Sequence, residues 1–282
     1  MEAYTSFAKV YDTFMDETPY EDWTERIHEM IEKYGVSRPA VSGGTASGHA
    51  EVLGTKTTAS ALDSERNLVL DLGCGTGTMT ELLAARGYDM IGVDLAEEML
   101  SIAMEKRAES GSQILYLLQD MRELELYSTV GTVVSVCDSL NYLLEDGDLL
   151  STFRQVDTYL YPGGIFVFDF NTVYKYARVI GDTTIAENRE ECSFIWENFY
   201  HDEEEINEYD LTLFVQEKDG LYRKFTETHY QRGYTLEKMQ QIAEQAGLQW
   251  VLAMDSDTGG EVTPQTERIF AVVKEQKKQF DK

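Results

Sequence analysis

The sequence predicts an α/β fold, a doubly wound parallel sheet that carries a small antiparallel β insertion. Three observations predict it. From residue 67 onward, continuously apolar runs (NLVLDL, DMIGVDL, ILYLLQ, VVSVCDSL, IFVFDF) alternate with stretches of helical periodicity. Apolar runs joined by helices mark strands buried on both faces, hence a parallel sheet between two helical layers. A glycine-rich turn, LGCGTG, follows the first of these strands. Between residues 187 and 232 the pattern switches to a period of two, in CSFIWENFY, INEYDLTLFVQE and LYRKFTETHYQR. That segment reads as a three-stranded antiparallel meander inserted into the α/β domain.

The elements follow in order. Tyr4, Phe7, Ala8 and Tyr11 fall on one helical face, and after Pro19 the residues Trp23, Ile27, Met30 and Ile31 form a second stripe. Residues 1–34 are therefore expected to be helical. Residues 35–66 are rich in Gly, Ser, Thr and Ala and hold no aromatic residue, so a flexible linker without a chemical role is expected. The α/β domain is expected over 67–186 and 233–276, with helices in TMTELLAARG, AEEMLSIAMEKRAES, EDGDLLSTFRQVDTYLY and TLEKMQQIAEQAG. YPGG is expected to be a turn, LQWVLAMDSD and RIFAVVKE the last strands, and KEQKKQFDK a solvated end.

Composition narrows the partners. The 51 acidic and 24 basic residues give a formal charge of −27, a field that repels phosphate backbones, so no nucleic acid partner is expected. No apolar run is long enough for a membrane-spanning helix, and MEAYTSFAKVYDTF lacks the pattern of a secretion signal. A cytoplasmic protein is expected. Cys74, Cys137 and Cys192 are far apart and odd in number, which suits buried thiols rather than disulfides or a zinc site.

The chemistry gathers at strand ends. Gly73, Gly75 and Gly77 let the chain turn sharply and let backbone approach a ligand. A dinucleotide fingerprint would place its third glycine at position 78, which is Thr78. Asp71 precedes the run, and an acid there suits a ligand carrying a cation. Asp94 ends the next strand and can accept from both hydroxyls of a ribose, although it could also cap the following helix. Asp120 suits an adenine amino group and the Met121 N–H a ring nitrogen. Asp138, Asn141 and Tyr142 follow the fourth strand. Four strands thus end in an acid, on the edge where α/β sheets bind ligands.

LVLDLGCGTG, GVDLAEEML, QDM and the YPGG turn before IFVFDF together resemble the class I S-adenosylmethionine-dependent methyltransferases. The resemblance covers roughly residues 65–170, and FAKVYDTFMDETPYEDW with CDSLNYLL is similar to a bacterial group acting on small molecules. It implies a seven-stranded, Rossmann-like sheet of order 3-2-1-4-5-7-6 with strand 7 antiparallel, and S-adenosylmethionine as cofactor. On that resemblance Gly73, Gly75 and Gly77 pass beneath the methionine part and Asp94 holds the ribose; Asp71 and Cys74 are also expected among the cofactor-binding residues. Leu95 packs on the adenine, and Asp120 and Met121 meet its edge. Cys137 and Asp138 face the methionine amino group or the acceptor. Tyr4, Tyr11, Tyr20 and Trp23 are candidates to close over the cofactor, unless they pack on the sheet instead.

Methyl transfer needs alignment and exclusion of water more than it needs an acid. An acceptor amine or hydroxyl must still lose a proton, and the candidates are Tyr142, His229, Tyr11 and Asp138. Of the other histidines, His49 lies in the linker, His28 on a polar helix side and His201 in an acidic turn; His229 lies in the last meander strand, which could cover the cofactor mouth, with a cross-strand surface histidine as the blander reading. The meander is read as a lid over a small-molecule acceptor or as the surface of a homodimer. The competing readings are a dinucleotide-dependent oxidoreductase and a non-catalytic cofactor-binding protein on the same fold.

Overall fold

The computed structural model describes residues 7–40, 64–217 and 219–278. Tyr4, His49 and positions 41–63 of the expected linker lie outside the described residues.

Two helices lead the chain, α1 (Ala8–Phe14) and α2 (Tyr20–Tyr34). Strand and helix then alternate: β1 (Leu68–Leu72), α3 (Thr78–Ala85), β2 (Asp89–Asp94), α4 (Glu97–Ser110), β3 (Leu115–Leu118), β4 (Val130–Ser135), α5 (Asp146–Tyr159) and β5 (Leu160–Asn171). The antiparallel segment holds β6 (Thr184–Asn188), β7 (Cys192–His201), β8 (Ile206–Gln216) and β9 (Tyr222–Arg232). Helix α6 (Leu236–Ala246), β10 (Gln249–Asp255) and β11 (Arg268–Lys274) complete the fold.

The main sheet has seven strands in the order β3-β2-β1-β4-β5-β11-β10. Counted within that sheet alone, the order is 3-2-1-4-5-7-6, and β11 runs antiparallel to both neighbours. The doubly wound α/β expectation holds. The apolar runs are continuous because each face has its own helical cover. Leu70, Leu72, Phe166, Phe168 and Phe170 face one core with Phe153 of α5 and Met239 of α6. Val69, Val134, Ile165 and Val167 face the other with Ile27 and Ile31 of α2. Phe153, Phe166, Phe168 and Phe170 are fully buried. Truncating one of them to Ala costs about 3–5 kcal/mol.

Three local expectations change. YPGG does not end in a free turn. It lies inside β5, where the pairing with β4 shifts register between Val130 and Thr132, and Gly163 takes φ +74°. Residues 35–40 are anchored: the buried Ser37 hydroxyl meets Thr132 Oγ1 at 2.9 Å, and the Ala40 N–H donates to the Gly87 carbonyl at 2.8 Å. The antiparallel sheet has four strands, in the order β6-β7-β8-β9. Its first strand, TIAEN, is a mostly exposed edge, so no apolar alternation marked it.

Candidate active site

The site lies at the carboxyl ends of β1, β2 and β4. There the chain turns through Gly73, Gly75 and Gly77, all at positive φ. Two of these glycines do different work. A Cβ on Gly77 would stand 2.4 Å from the Tyr116 hydroxyl, so that glycine serves packing. A Cβ on Gly75 would meet nothing within 4 Å, because Gly75 borders open space. That space is a cavity of about 580 Å³.

The cavity brings together Tyr11, Tyr20, Asp71, Gly73, Cys74, Gly75, Asp94, Leu95, Asp120, Met121, Cys137 and Tyr142. Trp23, Gly77 and Asp138 stand outside its lining. The α2 stripe turns Trp23 into the core, against Phe270 at 5.8 Å and beneath the Arg268 guanidinium. The Asp138 carboxylate is taken by Arg268 at 2.7 Å and by the Gln231 amide at 2.7 Å. Asn141 is fully buried and donates to the Asn171 and Arg232 carbonyls, which fastens the second sheet to the main one.

Asp94 shows how backbone builds a carboxylate site. One oxygen accepts the Gly75 N–H at 2.8 Å and the other the Ala96 N–H at 2.8 Å. Each oxygen keeps a lone pair for a further donor. Burial raises the Asp94 pKa, against the pull of these N–H groups. Asp71 is buried and accepts the Thr80 hydroxyl at 2.6 Å; burial pushes it up to about 7. Two desolvated acids on one wall favour a positively charged ligand group. Asp120 differs. Arg122 grips it at 2.6 Å and holds its carboxyl below the usual range. Leu95 and Leu118 are 66% and 54% exposed, which leaves apolar surface beside Asp94 and Asp120.

His229 is not a surface residue. It is 2% exposed, on the inward face of β9, and its Nδ1 lies 3.2 Å from the Tyr142 hydroxyl. His28 is half-buried against the Tyr88 hydroxyl at 2.7 Å, and His201 pairs with Glu208 at 2.9 Å. Sequence reasoning missed Asp169, Arg268 and Glu227. Fully buried Asp169 accepts the N–H groups of Cys137 and Asp138, which holds both residues at positive φ behind the cavity. An acid inside the apolar run IFVFDF was the available signal.

Residues 69–164 match a family model described as a methyltransferase domain. Over 95% of this chain, and 95% of its own length, the "Putative methyltransferase YqeM" of Bacillus subtilis is 34% identical. The chain belongs to the class I S-adenosylmethionine-dependent methyltransferases. A solved S-adenosylmethionine-dependent methyltransferase of Clostridium acetobutylicum superposes with a TM-score of 0.77 at 27% identity, covering 98% of this chain and 100% of that one. A ubiquinone biosynthesis O-methyltransferase of Aeromonas salmonicida is 32% identical over 36% of this chain and 43% of its own. The cofactor is S-adenosylmethionine, and the residues present fit it: paired acids on the wall, bare backbone at Gly75 and apolar surface at Leu95.

Proposed function

We propose that the protein transfers the cofactor's methyl group to a small-molecule acceptor, held in the cavity between the glycine loop and the second sheet. The observation that carries this is Asp94, a carboxylate fixed by two backbone N–H groups on the wall of the cavity. Asp94 takes the ribose hydroxyls, with Leu95 against the adenine ring and Asp120 and the Met121 N–H at its edge. Asp71, Gly73, Cys74, Gly75 and Cys137 surround the methionine part. Tyr11 and Tyr20 cover the cofactor from the N-terminal helices.

When bound, the cofactor supplies an electrophilic methyl group on a sulfonium. This chain's residues hold it in line with the acceptor and keep water out, which together can lower a barrier by about 7–11 kcal/mol. The likeness to an O-methyltransferase of ubiquinone biosynthesis supports a small acceptor, as does a cavity of about 580 Å³. The charge of −27 argues against RNA, and the same surface suits a cytoplasmic protein. No helix among the described residues is long and apolar enough to cross a membrane.

Calorimetry with S-adenosylhomocysteine and with NADH tests the reading. The homocysteine nucleoside should bind and NADH should not. Asp94→Ala should weaken binding by about 1.5–3 kcal/mol, the size of hydrogen bonds to a charged group. Unchanged affinity in that variant removes the ribose assignment, and heat from NADH alone removes the methyltransferase reading.

A further inference from the structure

The inward face of the second sheet is apolar in its outer rows and polar beside the cavity. Phe194, Leu211 and Leu213 are buried there. The next rows pair Trp196 with Leu211 and Glu227, then Asn198 with Tyr209 and His229. A two-residue step along β9 sets Glu227 and His229 side by side on one face. Glu227 Oε2 lies 3.3 Å from His229 Nε2, and the two residues are 4% and 2% exposed. The other ring nitrogen, Nδ1, faces the Tyr142 hydroxyl at 3.2 Å. That hydroxyl also meets Tyr209 Oη at 2.7 Å, and the Tyr209 ring stacks on His229 at 4.9 Å and 7°. Of these residues Tyr142 alone lines the cavity.

Glu227 Oε1 also accepts the Phe7 N–H at 3.0 Å, so the carboxylate has a backbone partner besides the imidazole. A buried carboxylate costs several kcal/mol unless it is paired. The pair here points away from solvent, toward a phenol on the cavity wall. An imidazole with a carboxylate beside one nitrogen and a hydroxyl facing the other is oriented to take a proton.

We propose that Tyr142, His229 and Glu227 form a proton relay serving methyl transfer. Tyr142 is the catalytic residue that touches the acceptor, and His229 and Glu227 are positioning residues acting through it. The inference rests on the reading of the cavity as the acceptor site, and it assigns acceptors bearing a hydroxyl or ammonium proton. That proton passes to Tyr142 Oη as the phenol's own proton passes to His229 Nδ1. The acceptor's electron pair forms the bond to the methyl carbon. The carbon–sulfur bond breaks with its pair on sulfur, leaving a neutral thioether. Glu227 beside Nε2 steadies the imidazolium, and after product leaves the extra proton returns through Tyr142 Oη to water in the cavity.

Two measurements test it. The first is 15N NMR of histidine-labelled protein saturated with S-adenosylhomocysteine, with His229 assigned by the signal lost in His229→Gln. The relay requires the Nε2–H tautomer and an Nδ1 shift that relaxes in Tyr142→Phe. The Nδ1–H tautomer, which would donate to the phenol, overturns it. The second is methyl transfer from S-adenosylmethionine to a panel of catechol, p-cresol, benzylamine and glucosamine. Tyr142→Phe should lower kcat about 10²–10⁴-fold, the scale of general base catalysis, with S-adenosylhomocysteine affinity unchanged. A wild-type kcat in that variant overturns the relay. So does a pure clamp, seen as melting temperature and cofactor affinity falling together at constant kcat. Absence of turnover by wild-type protein that binds S-adenosylhomocysteine counts against the small-acceptor reading instead, and the tautomer then decides the relay.

Discussion

The Asp12 carboxylate on α1 accepts the Thr76 hydroxyl of the glycine loop at 2.7 Å. Lys106 of α4 completes the fastening, at 2.6 Å from Asp12 and 2.8 Å from the Thr78 hydroxyl. The helix that brings Tyr11 to the cavity is thus tied to the loop beneath it. Cofactor binding and the docking of α1 should be coupled through that tie.

Asp12→Ala should therefore loosen the cover. The ion pair with Lys106 is partly exposed and contributes roughly 0–1 kcal/mol. The Thr76 hydroxyl bond sits at the same partly exposed carboxylate and, screened by solvent, adds roughly 0.5–1.5 kcal/mol. Calorimetry should show S-adenosylhomocysteine affinity weakened roughly 3–10-fold, where tenfold corresponds to about 1.4 kcal/mol. Hydrogen exchange should quicken in α1 and stay slow in the central strands. Equal affinity in variant and wild type would mean that the helix does not cover the ligand.

The glycine loop offers a paired comparison. Gly77→Ala drives a methyl into the Tyr116 hydroxyl at a positive φ, so the folded state itself should suffer. Gly75→Ala meets no atom, and its strain is about 1–2 kcal/mol. Its methyl would project into the space assigned to the cofactor. Melting curves should show the larger loss for Gly77→Ala, and binding isotherms should show the larger loss for folded Gly75→Ala. The reverse ranking would place the ligand elsewhere.

Asp71 makes stability depend on pH. Its folded pKa, pushed up to about 7 by burial, stands above the ordinary 3.8. The folded protein therefore binds this proton more tightly than the unfolded chain. The contribution is fully present below about 3.8 and is lost as pH rises through about 7. Asp71→Asn keeps an acceptor for Thr80 and carries no charge. The melting temperature of cofactor-free Asp71→Asn should exceed that of wild type by a margin that grows from pH 4 to 7. A constant margin would mean that Asp71 is ionised throughout.

Arg268 is a buried cation between two acids, 2.7 Å from Asp138 and 2.6 Å from Asp169. The two carboxylates raise its pKa well above the ordinary value, and the same guanidinium opposes the upward push of burial on Asp169. Arg268→Met should leave Asp169 unpaired in the core and cost about 3–5 kcal/mol in urea unfolding. Adding Asp169→Asn should recover part of that loss. A double variant no better than the single would show that the cation acts through packing on Trp23 instead.

The glycine loop and the acids at strand ends were legible because their signal is local: an apolar run, a glycine, an acid at the tip. Strand order followed from the resemblance carried by those same residues. What stayed hidden depends on chain segments meeting late. Asp169 and Arg268 are 99 residues apart, and nothing in either neighbourhood announces the other. His229 looked solvated because alternation in a meander does not say which face folds back on the sheet. Trp23 was one of several aromatics on amphipathic helices, and only the packed stripe separates it from Tyr11 and Tyr20. The edge strand β6 has exposed residues at most positions, so no apolar alternation announces its pairing with β7.

The antiparallel sheet leaves and rejoins the main fold at neighbouring points, where Thr172 and Tyr234 form an isolated parallel bridge. An excursion whose two roots touch can be replaced at a single junction, provided that Asp138 and Asn141, which it holds through Gln231 and Arg232, find new partners. The strands that carry the glycine loop can then stay fixed through descent, while this sheet is rewritten like a removable tool head.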